Sequence, residues 1–157
     1  MQIVYKQGNL LDCNQSFIAH SCNNKGAFAS GVAGDIRKKH PKVYQGYIDH
    51  KVYRLGEVIV VEDSGKIFFN IIGQDGYGRD GRRYVRYDAL VDAFEKIDTM
   101  LETPTEVAMP LLGSGLGGGK WSIVSAIIEE TKNIIPIVYV LEISKINASS
   151  SVSKRKT

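Results

Sequence analysis

The residues best suited to chemistry in this chain are the glycines of a short run, GSGLGGG, at positions 113–119. The run follows an apolar segment at 107–112 and precedes a helical pattern that begins near Lys120. Glycine allows the backbone to adopt positive φ and to approach a ligand closely, while a helix N-terminus adds unpaired N–H donors and the positive end of its dipole. A strand, a glycine loop and a helix start in this order predict a binding site for an anion, most often a phosphate.

Two established phosphate motifs match this run only in part. Gly113, Gly115 and Gly118 fit the dinucleotide fingerprint G-x-G-x-x-G, and Glu142 lies near the place of a ribose-binding acid, but a Rossmann half requires a further helix and strand after that acid. A Walker A loop requires Ser or Thr after its lysine, whereas a tryptophan follows the lysine here. A flexible connector is the third interpretation, and the entropy cost of so many glycines disfavours it. The run therefore predicts an anion site without identifying the anion.

A second stretch has a similar layout. The segment CNNKGAFASG at 22–31 joins an apolar strand pattern at 16–21 to a helical pattern that begins at Val32. Small and polar residues between a strand and a helix start suit a ligand loop. Asn, Ser and Gly are also common turn formers, so the residues by themselves fit a plain connector equally well.

His20 is the strongest candidate for acid–base chemistry, because it ends the 16–21 strand directly before this segment. An imidazole at that place could activate water or protonate a leaving group near neutral pH. The alternative is a hydrogen-bonded histidine that only fixes Asn23 and the loop. The sequence does not decide between these two roles.

The other titratable candidates are weaker. Asp75 lies in a glycine-rich and charged stretch at 73–83, where it could serve as a base, although an exposed acid in a surface turn fits that stretch better. His40 lies near the C-terminus of one predicted helix and His50 in the next, away from both loops. Both are predicted on helix surfaces.

These candidates must be positioned by an alternation of apolar strands and amphipathic helices, which is typical of an α/β sheet covered on both faces. The predicted fold is α/β, with three α/β/α layers, a central mixed sheet of about six strands and ligand loops at the carboxyl ends of the central strands. The third and fourth strands are predicted to form a hairpin around the turn DSG. Strands are predicted at 2–6, 16–21, 56–62, 66–72, 105–112 and 136–143, and helices at 32–39, 41–50, 84–101 and 120–133.

Composition bounds the domain organisation. The chain has 157 residues, 43% hydrophobic and 24% charged, which predicts one globular domain at 1–146. Serines and basic residues at 147–157 have little to bury, so this tail is predicted to be disordered. The formal net charge is +3, but the three basic residues at 154–156 belong to the tail, so residues 1–153 carry 17 charges of each sign. A neutral body gives no indication of a nucleic-acid-binding face.

Cysteine usage and the N-terminal residues bound the environment. Cys13 and Cys22 lack the spacing of a metal or redox motif, and both are expected to be reduced. No metal and no cofactor are predicted. The N-terminal residues lack the layout of a signal peptide, and no apolar run approaches the length of a membrane span. The expected protein is cytoplasmic and monomeric, with no membrane partner.

Four segments, taken together, form a recognisable ordered set: GNL at 8–10, HSCNNKG at 20–26, FASGVAGDI at 28–36 and MPLLGSGLGGGKW at 109–121. In this order they resemble the macrodomain family of ADP-ribose-binding proteins, and the resemblance spans residues 1–143. Within the family, the HSCN of the second segment is closest to the branch of ADP-ribose 1''-phosphate phosphatases. The pattern G-x-G-L-x-x-x-x-W of the fourth segment is also seen in DNA- and glutamate-directed ADP-ribosylhydrolases.

The resemblance implies a site for ADP-ribose, with its two phosphates on backbone N–H groups of residues 30–33 and 114–118. Asn9 would take the place of the family's usual aspartate as the acceptor for the adenine amino group, and Asn23 would face the distal ribose. The ligand-binding residues so implied are Gly8, Asn9, Leu10, Ser21, Cys22, Asn23, Phe28, Ala29, Ser30, Gly31, Val32, Ala33, Gly113, Ser114, Gly115, Leu116, Gly117, Gly118 and Gly119.

Departures from the family pattern bear on the chemistry. The DNA- and glutamate-directed hydrolases use a lysine shortly after the fourth strand. The glutamate-directed ones add an aspartate in the loop that corresponds to the glycine run at 113–119. This chain has GQD at 73–75 and GGG at 117–119 in the corresponding stretches. A lysine adduct is therefore not expected.

The implied activity is that of a metal-independent hydrolase, most specifically a phosphatase that converts ADP-ribose 1''-phosphate to ADP-ribose and phosphate. His20, Asn23 and Asp75 are the catalytic candidates. Two alternatives stay open, namely an ADP-ribosylhydrolase that removes ADP-ribose from protein or nucleic acid, and a reader that binds ADP-ribose without turnover. A nicotinamide oxidoreductase would require the Rossmann interpretation that is disfavoured above.

Overall fold

The computed structural model describes residues 1–142, so the predicted tail at 147–157 lies outside the described residues. All six predicted strands and all four predicted helices are present. The strands are Val4–Gln7 (β1), Phe17–Asn23 (β2), Val58–Asp63 (β3), Lys66–Gln74 (β4), Thr105–Met109 (β5) and Ile134–Val140 (β6). The helices are Gly31–Lys39 (α1), Pro41–His50 (α2), Tyr87–Met100 (α3) and Trp121–Glu129 (α4), and a short 3-10 turn, Leu10–Asp12, follows β1.

The strands form one mixed sheet in the order β1-β6-β5-β2-β4-β3. Neighbouring strands are parallel except for β3 and β4, which are antiparallel and form the predicted hairpin. Ser64 and Gly65 both have positive φ, 55° and 76°, as a two-residue type I′ turn requires. β2 lies inside the sheet between β5 and β4, so the loops after these three strands meet at one edge.

Helices cover both faces of the sheet, which confirms the predicted three layers. On one face α1 and α2 pack over a core that includes Ile36, Tyr47 and Phe68. On the other face α3 and α4 pack over a core that includes Phe69 and Trp121. The two phenylalanines are neighbours on β4 and enter opposite cores, because successive strand side chains point to opposite faces. No helix within residues 1–142 is both long and apolar enough to cross a membrane.

Helix α3 begins three residues later than predicted. Tyr84 and Val85 continue the apolar spacing of the helix, but their N–H groups both donate to the carbonyl of Gly117, at 2.8 and 2.9 Å. The N–H of Arg86 donates to the carbonyl of Gly73 at 2.8 Å. These three residues therefore tie the segment before α3 to the loop that contains Gly117 and to the end of β4 instead of continuing the helix.

The prediction that His40 lies on a helix surface was wrong. Its side chain is 7% exposed, and its Nδ1 lies 2.8 Å from the Oδ2 of Asp63. The imidazole also packs against the ring of Phe68. His40 occupies the break between α1 and α2, where the change of helix direction turns the residue towards the sheet.

Candidate functional site

A cavity of about 800 Å³ opens at the carboxyl ends of β5, β2 and β4. Its walls come from three loops: the first loop, 24–30, after β2; the second loop, 110–120, after β5; and the third loop, 75–86, after β4. Open α/β sheets bind ligands at this edge, and the volume is within the range of small-molecule sites. The cavity is therefore the candidate site.

The start of α1 forms one wall and is uncapped. Ser30 is the N-cap residue with extended backbone, and its side chain makes no capping hydrogen bond. The first helical bond runs from the N–H of Gly34 to the carbonyl of Ser30, at 3.2 Å. Within residues 1–142 the N–H groups of Gly31, Val32 and Ala33 have no partner, and all three residues line the cavity. This wall offers three backbone donors and the positive end of a helix dipole.

The second loop forms the facing wall and also leaves donors free. The loop is held together by hydrogen bonds from the N–H of Gly118 to the carbonyl of Gly115 (3.0 Å) and from the N–H of Gly119 to the carbonyl of Gly113 (2.8 Å). The N–H groups of Gly115, Leu116 and Gly117 have no partner in the described part of the chain, and these residues line the cavity. The predicted helix start contributes nothing here, because α4 begins only at Trp121, outside the cavity wall.

Backbone geometry and packing require most of the glycines in the second loop. Gly113 and Gly118 have φ of +74° and +75°. A Cβ on Gly119 would lie 2.7 Å from the carbonyl oxygen of Gly113, and one on Gly117 would lie 2.8 Å from the same atom. A Cβ on Gly115 would meet no atom within 4 Å. Gly115 is therefore the position where a side chain can enter the site without disturbing the loop.

His20 lies at the floor of the cavity and is buried, with 1% of its surface exposed. Its Nε2 lies 2.6 Å from the Oδ1 of Asn70, whose Nδ2 donates to the carbonyl of Ile59 at 2.8 Å. Because a backbone carbonyl can only accept, Oδ1 of Asn70 must be the acceptor, and Nε2 of His20 must carry its hydrogen. The free acceptor is then Nδ1, 3.8 Å from the Sγ of Cys22.

The same burial decides the charge of His20. Removal from water lowers the pKa of the imidazole to about 4, although the hydrogen bond to Asn70 opposes this shift. Edge-to-face packing against Phe28, with ring centroids 5.5 Å apart, shields the ring further. At neutral pH His20 is an uncharged imidazole with a fixed tautomer.

Asn23 shapes the first loop with its side chain. Its Nδ2 donates to the carbonyl of Ala27 at 2.7 Å, and its Oδ1 accepts from the N–H of Lys25 at 2.9 Å. The hydroxyl of Tyr47 donates to the Asn23 carbonyl at 2.8 Å and accepts from the N–H of Gly26 at 3.1 Å. One Nδ2 hydrogen of Asn23 is left without a partner in residues 1–142, and the residue lines the cavity.

The cavity brings together thirteen of the residues singled out from the sequence. Eight others do not line it, and for Asn9 and Asp75 the hydrogen bonds of the side chain show what it does instead. Asn9 uses its Oδ1 to accept from the N–H of Leu11 at 2.9 Å and so caps the 3-10 turn. Asp75 is exposed and accepts from the Nδ2 of Asn24 at 3.1 Å. Those that line the cavity are His20, Ser21, Cys22, Asn23, Ala29, Ser30, Gly31, Val32, Ala33, Gly113, Gly115, Leu116 and Gly117; those that do not are Gly8, Asn9, Leu10, Phe28, Asp75, Ser114, Gly118 and Gly119.

Sequence reasoning missed the wall formed by the end of β4 and the third loop, where Gln74, Tyr77, Gly78 and Arg79 line the cavity. The side chain of Gln74 has no hydrogen-bond partner among the described residues, and its Oε1 lies 3.1 Å from where a Cβ of Gly117 would be. These residues adjoin the first loop because β4 pairs with β2, a pairing that the sequence alone does not show. No motif marks a lone amide or arginine in such a loop.

No group of three or more His, Cys, Asp or Glu side chains within residues 1–142 is arranged to hold a metal ion. Cys13 and Cys22 are both free and buried. Burial raises the pKa of the Cys22 thiol well above its usual range. Cys22 is therefore a protonated thiol at neutral pH.

Comparison with known proteins gives a consistent set of relatives, although no protein-family model matches the chain. It is 30% identical over 133 residues to an uncharacterized 17.5 kDa protein of Enterobacteria phage T4, covering 78% of this chain and 84% of that protein. It is 23% identical over 138 residues to the ADP-ribose 1''-phosphate phosphatase of Lodderomyces elongisporus, covering 80% and 86%. It is 28% identical over 132 residues to the ADP-ribose glycohydrolase OARD1 of Bos taurus, covering 82% and 83%.

Solved structures give the same picture. A macrodomain protein from Streptomyces coelicolor superposes with a TM-score of 0.69 at 27% identity, covering 88% of this chain and 99% of that one. The macrodomain of Thermus aquaticus DarG superposes with a TM-score of 0.72 at 21% identity, covering 88% and 98%. The described fold is thus shared over nearly the whole length of both structures.

The buried state of His20 predicts a pH dependence of stability. Its pKa is lower in the folded protein (about 4) than in the unfolded chain (6.5), so the unfolded chain binds more protons between these values. The stabilisation from neutral His20 is complete above pH 6.5 and is lost as the pH falls towards 4, by roughly 2–3 kcal/mol. We expect the free energy of unfolding of a His20→Gln variant, measured with urea, to fall less than that of the wild type over this interval. Parallel curves for the two proteins would contradict this assignment.

Proposed function

Because the chain belongs to the macrodomain family, we propose that it binds ADP-ribose between the first and second loops and acts as a hydrolase at the distal ribose. The substrate that we propose is ADP-ribose 1''-phosphate, which water converts to ADP-ribose and inorganic phosphate. Named relatives support hydrolysis in general, since they include a phosphatase and a glycohydrolase.

One observation carries the binding proposal. Gly31, Val32 and Ala33 on one side of the cavity, and Gly115, Leu116 and Gly117 on the other, have backbone N–H groups without partners in residues 1–142. Val32, Ala33 and Gly117 are buried or partly buried, and such N–H groups are normally paired, so unpaired donors on two walls of one cavity indicate a ligand rich in acceptors. The other three donors belong to exposed residues, which a ligand can reach from solvent. A diphosphate fits this requirement, because backbone donors and a helix dipole can neutralise its charge.

The proposed direction of the ligand combines the role that the family resemblance implies for Asn9 with the order of the strands. Gly8, Asn9 and Leu10 follow β1 at one edge of the sheet, whereas the cavity lies over β5, β2 and β4. We place the adenine on the β1 side, where the Oδ1 of Asn9 keeps a second lone pair for the adenine amino group after capping the turn. The diphosphate then crosses between the two loops, and the distal ribose lies over β2 and β4.

The end of β4 favours the phosphatase over an ADP-ribosylhydrolase. Hydrolases that resemble this chain in the second loop use a lysine shortly after the fourth strand. In the corresponding stretch of this chain, 73–75, the residue that lines the cavity is Gln74, the last residue of β4. An amide can orient a hydroxyl or a phosphate oxygen but cannot form a covalent adduct with the ribose. A hydrolase acting on modified protein or nucleic acid remains the second candidate, because relatives named ADP-ribose glycohydrolase and DNA ADP-ribosyl glycohydrolase match most of this chain.

Among the three catalytic candidates, Asn23 is best placed to contact the substrate, through its remaining Nδ2 hydrogen. His20 is uncharged and buried, and both its tautomer and its ring plane are fixed by Asn70 and Phe28. We therefore propose His20 as a positioning residue that fixes the end of β2 beneath the reacting ribose. Asp75 is exposed and tied to Asn24, so any role in activating water would require the third loop to move.

The binding proposal predicts the effect of Gly115→Glu. Gly115 has space for a side chain, so the variant should fold, but a carboxylate there would occupy the place of the diphosphate with like charge. We expect the Kd for ADP-ribose, measured by calorimetric titration, to rise by more than about 100-fold, since like charges placed next to each other across an interface cost several kcal/mol. Ala126→Glu on the exposed side of α4 is the control for added charge. Unchanged affinity in Gly115→Glu would show that ADP-ribose binds elsewhere.

The activity is tested by running three substrates side by side: ADP-ribose 1''-phosphate, ADP-ribosylated protein and ADP-ribosylated DNA. We expect phosphate release from the first to be the fastest reaction. Release of ADP-ribose from protein or DNA alone would favour the second candidate. Binding of ADP-ribose without turnover of any substrate would identify a reader.

A further inference from the structure

We infer that Arg79, on the third loop, selects ligands that carry an anionic group on the distal ribose, such as the terminal phosphate of ADP-ribose 1''-phosphate. The inference rests on the proposed function, which sets the direction of the ligand. It assigns a specificity-determining role to a residue that no sequence motif marks.

The position of the third loop places Arg79 at the distal end of the cavity. The loop follows β4, which lies beyond β2 on the side away from β1. Tyr77, Gly78 and Arg79 of this loop line the cavity together with Gln74. A ligand whose adenine lies on the β1 side therefore presents its distal ribose, and any group attached to it, to this wall.

Arg79 is a charge without a partner in residues 1–142. The nearest acid in sequence, Asp80, accepts from the Nε of Arg82 at 2.8 Å and from the hydroxyl of Tyr84 at 2.7 Å. These hydrogen bonds, chiefly the one from Tyr84, lower the pKa of Asp80 to about 2. Asp75 is engaged by Asn24. Both acids of the loop thus already have hydrogen-bond partners, and Arg79 is an exposed residue that lines the cavity.

The third loop holds Arg79 on a fixed base. The N–H of Tyr84 donates to the carbonyl of Gly117 in the second loop at 2.8 Å, and its carbonyl accepts from the N–H of Asp75 at 2.9 Å. Gly76 and Gly81 have φ of +79° and +83°, which allow the turns on either side of Arg79. The charge is therefore carried by a loop that is anchored to the proposed diphosphate site.

Of the three polar side chains on this wall, those of Gln74, Tyr77 and Arg79, only that of Arg79 is charged. Gln74 has a neutral amide, which can bind a ribose hydroxyl or a phosphate oxygen with little preference. A guanidinium forms bidentate, charge-assisted hydrogen bonds with phosphate and gains little from an uncharged hydroxyl. Discrimination between ADP-ribose and its phosphorylated form is therefore expected from Arg79.

The test compares Arg79→Gln with Arg86→Gln, which removes the same charge from an exposed arginine that pairs with Asp88 and does not line the cavity. The measurements are the Kd for ADP-ribose by calorimetry and kcat/KM for ADP-ribose 1''-phosphate. We expect Arg79→Gln to lower kcat/KM about tenfold, the size of a charge-assisted hydrogen bond, and to change the Kd for ADP-ribose less than about twofold. Arg79→Lys should retain part of the preference, and added salt should weaken it in the wild type.

The outcomes separate the inference from the function on which it rests. A wild-type protein that neither binds ADP-ribose nor hydrolyses its phosphorylated form would overturn the proposed function. A wild type that does both, with Arg79→Gln unchanged in kcat/KM or equally weakened towards both ligands, would overturn the role of Arg79. If the wild type binds without turnover, the Kd for ADP-ribose 1''-phosphate replaces kcat/KM in the same comparison.

Discussion

The site depends on backbone N–H groups that the fold leaves without partners at one edge of the sheet. Unpaired N–H groups at a helix start or in a glycine loop bond to water until a ligand supplies acceptors in its place. Gly31–Ala33 and Gly115–Gly117 present six of them to one cavity, within the described residues. The glycines, the uncapped start of α1 and the internal hydrogen bonds of the second loop leave these donors unpaired on two walls of the same cavity.

The sheet order turns this arrangement into a directional site. β2 lies between β5 and β4, so its loop is flanked by the second loop on one side and by the third loop on the other. The third loop is joined to the second through two hydrogen bonds to the carbonyl of Gly117. A substitution that shifts the third loop, where no phosphate motif exists, should therefore also shift the second loop, which we propose binds the diphosphate.

Much of the fold was predictable from sequence, because apolar periodicity depends only on which face of each element is buried. The two glycine-containing loops were also predictable, since glycines between a strand and a helix start allow the backbone to approach a ligand closely. Periodicity failed at Tyr84 and Val85, which are buried as in a helix but donate to Gly117 instead. It failed again at His40, because the turn between α1 and α2 is set by tertiary packing.

The chemical roles were less predictable than the loops. The sequence places His20 next to a ligand loop, but its low pKa arises from burial in the folded core beside Phe28, and its tautomer is set by Asn70, which is distant in sequence. Gln74 and Arg79 belong to the cavity only because β4 pairs with β2, a fact of topology that no local pattern contains.

The central claim is that the free N–H groups of the two loops bind the diphosphate of ADP-ribose. The most direct measurement is a titration of the ¹⁵N-labelled protein with ADP-ribose, followed by two-dimensional NMR of the backbone amides. The account predicts saturable shifts that are largest for the amides of Gly31–Ala33 and Gly115–Gly117, with smaller shifts for Gly118 and Gly119, whose N–H groups are already bonded within the loop. Saturable shifts confined to other parts of the chain, or none at millimolar ligand, would contradict it.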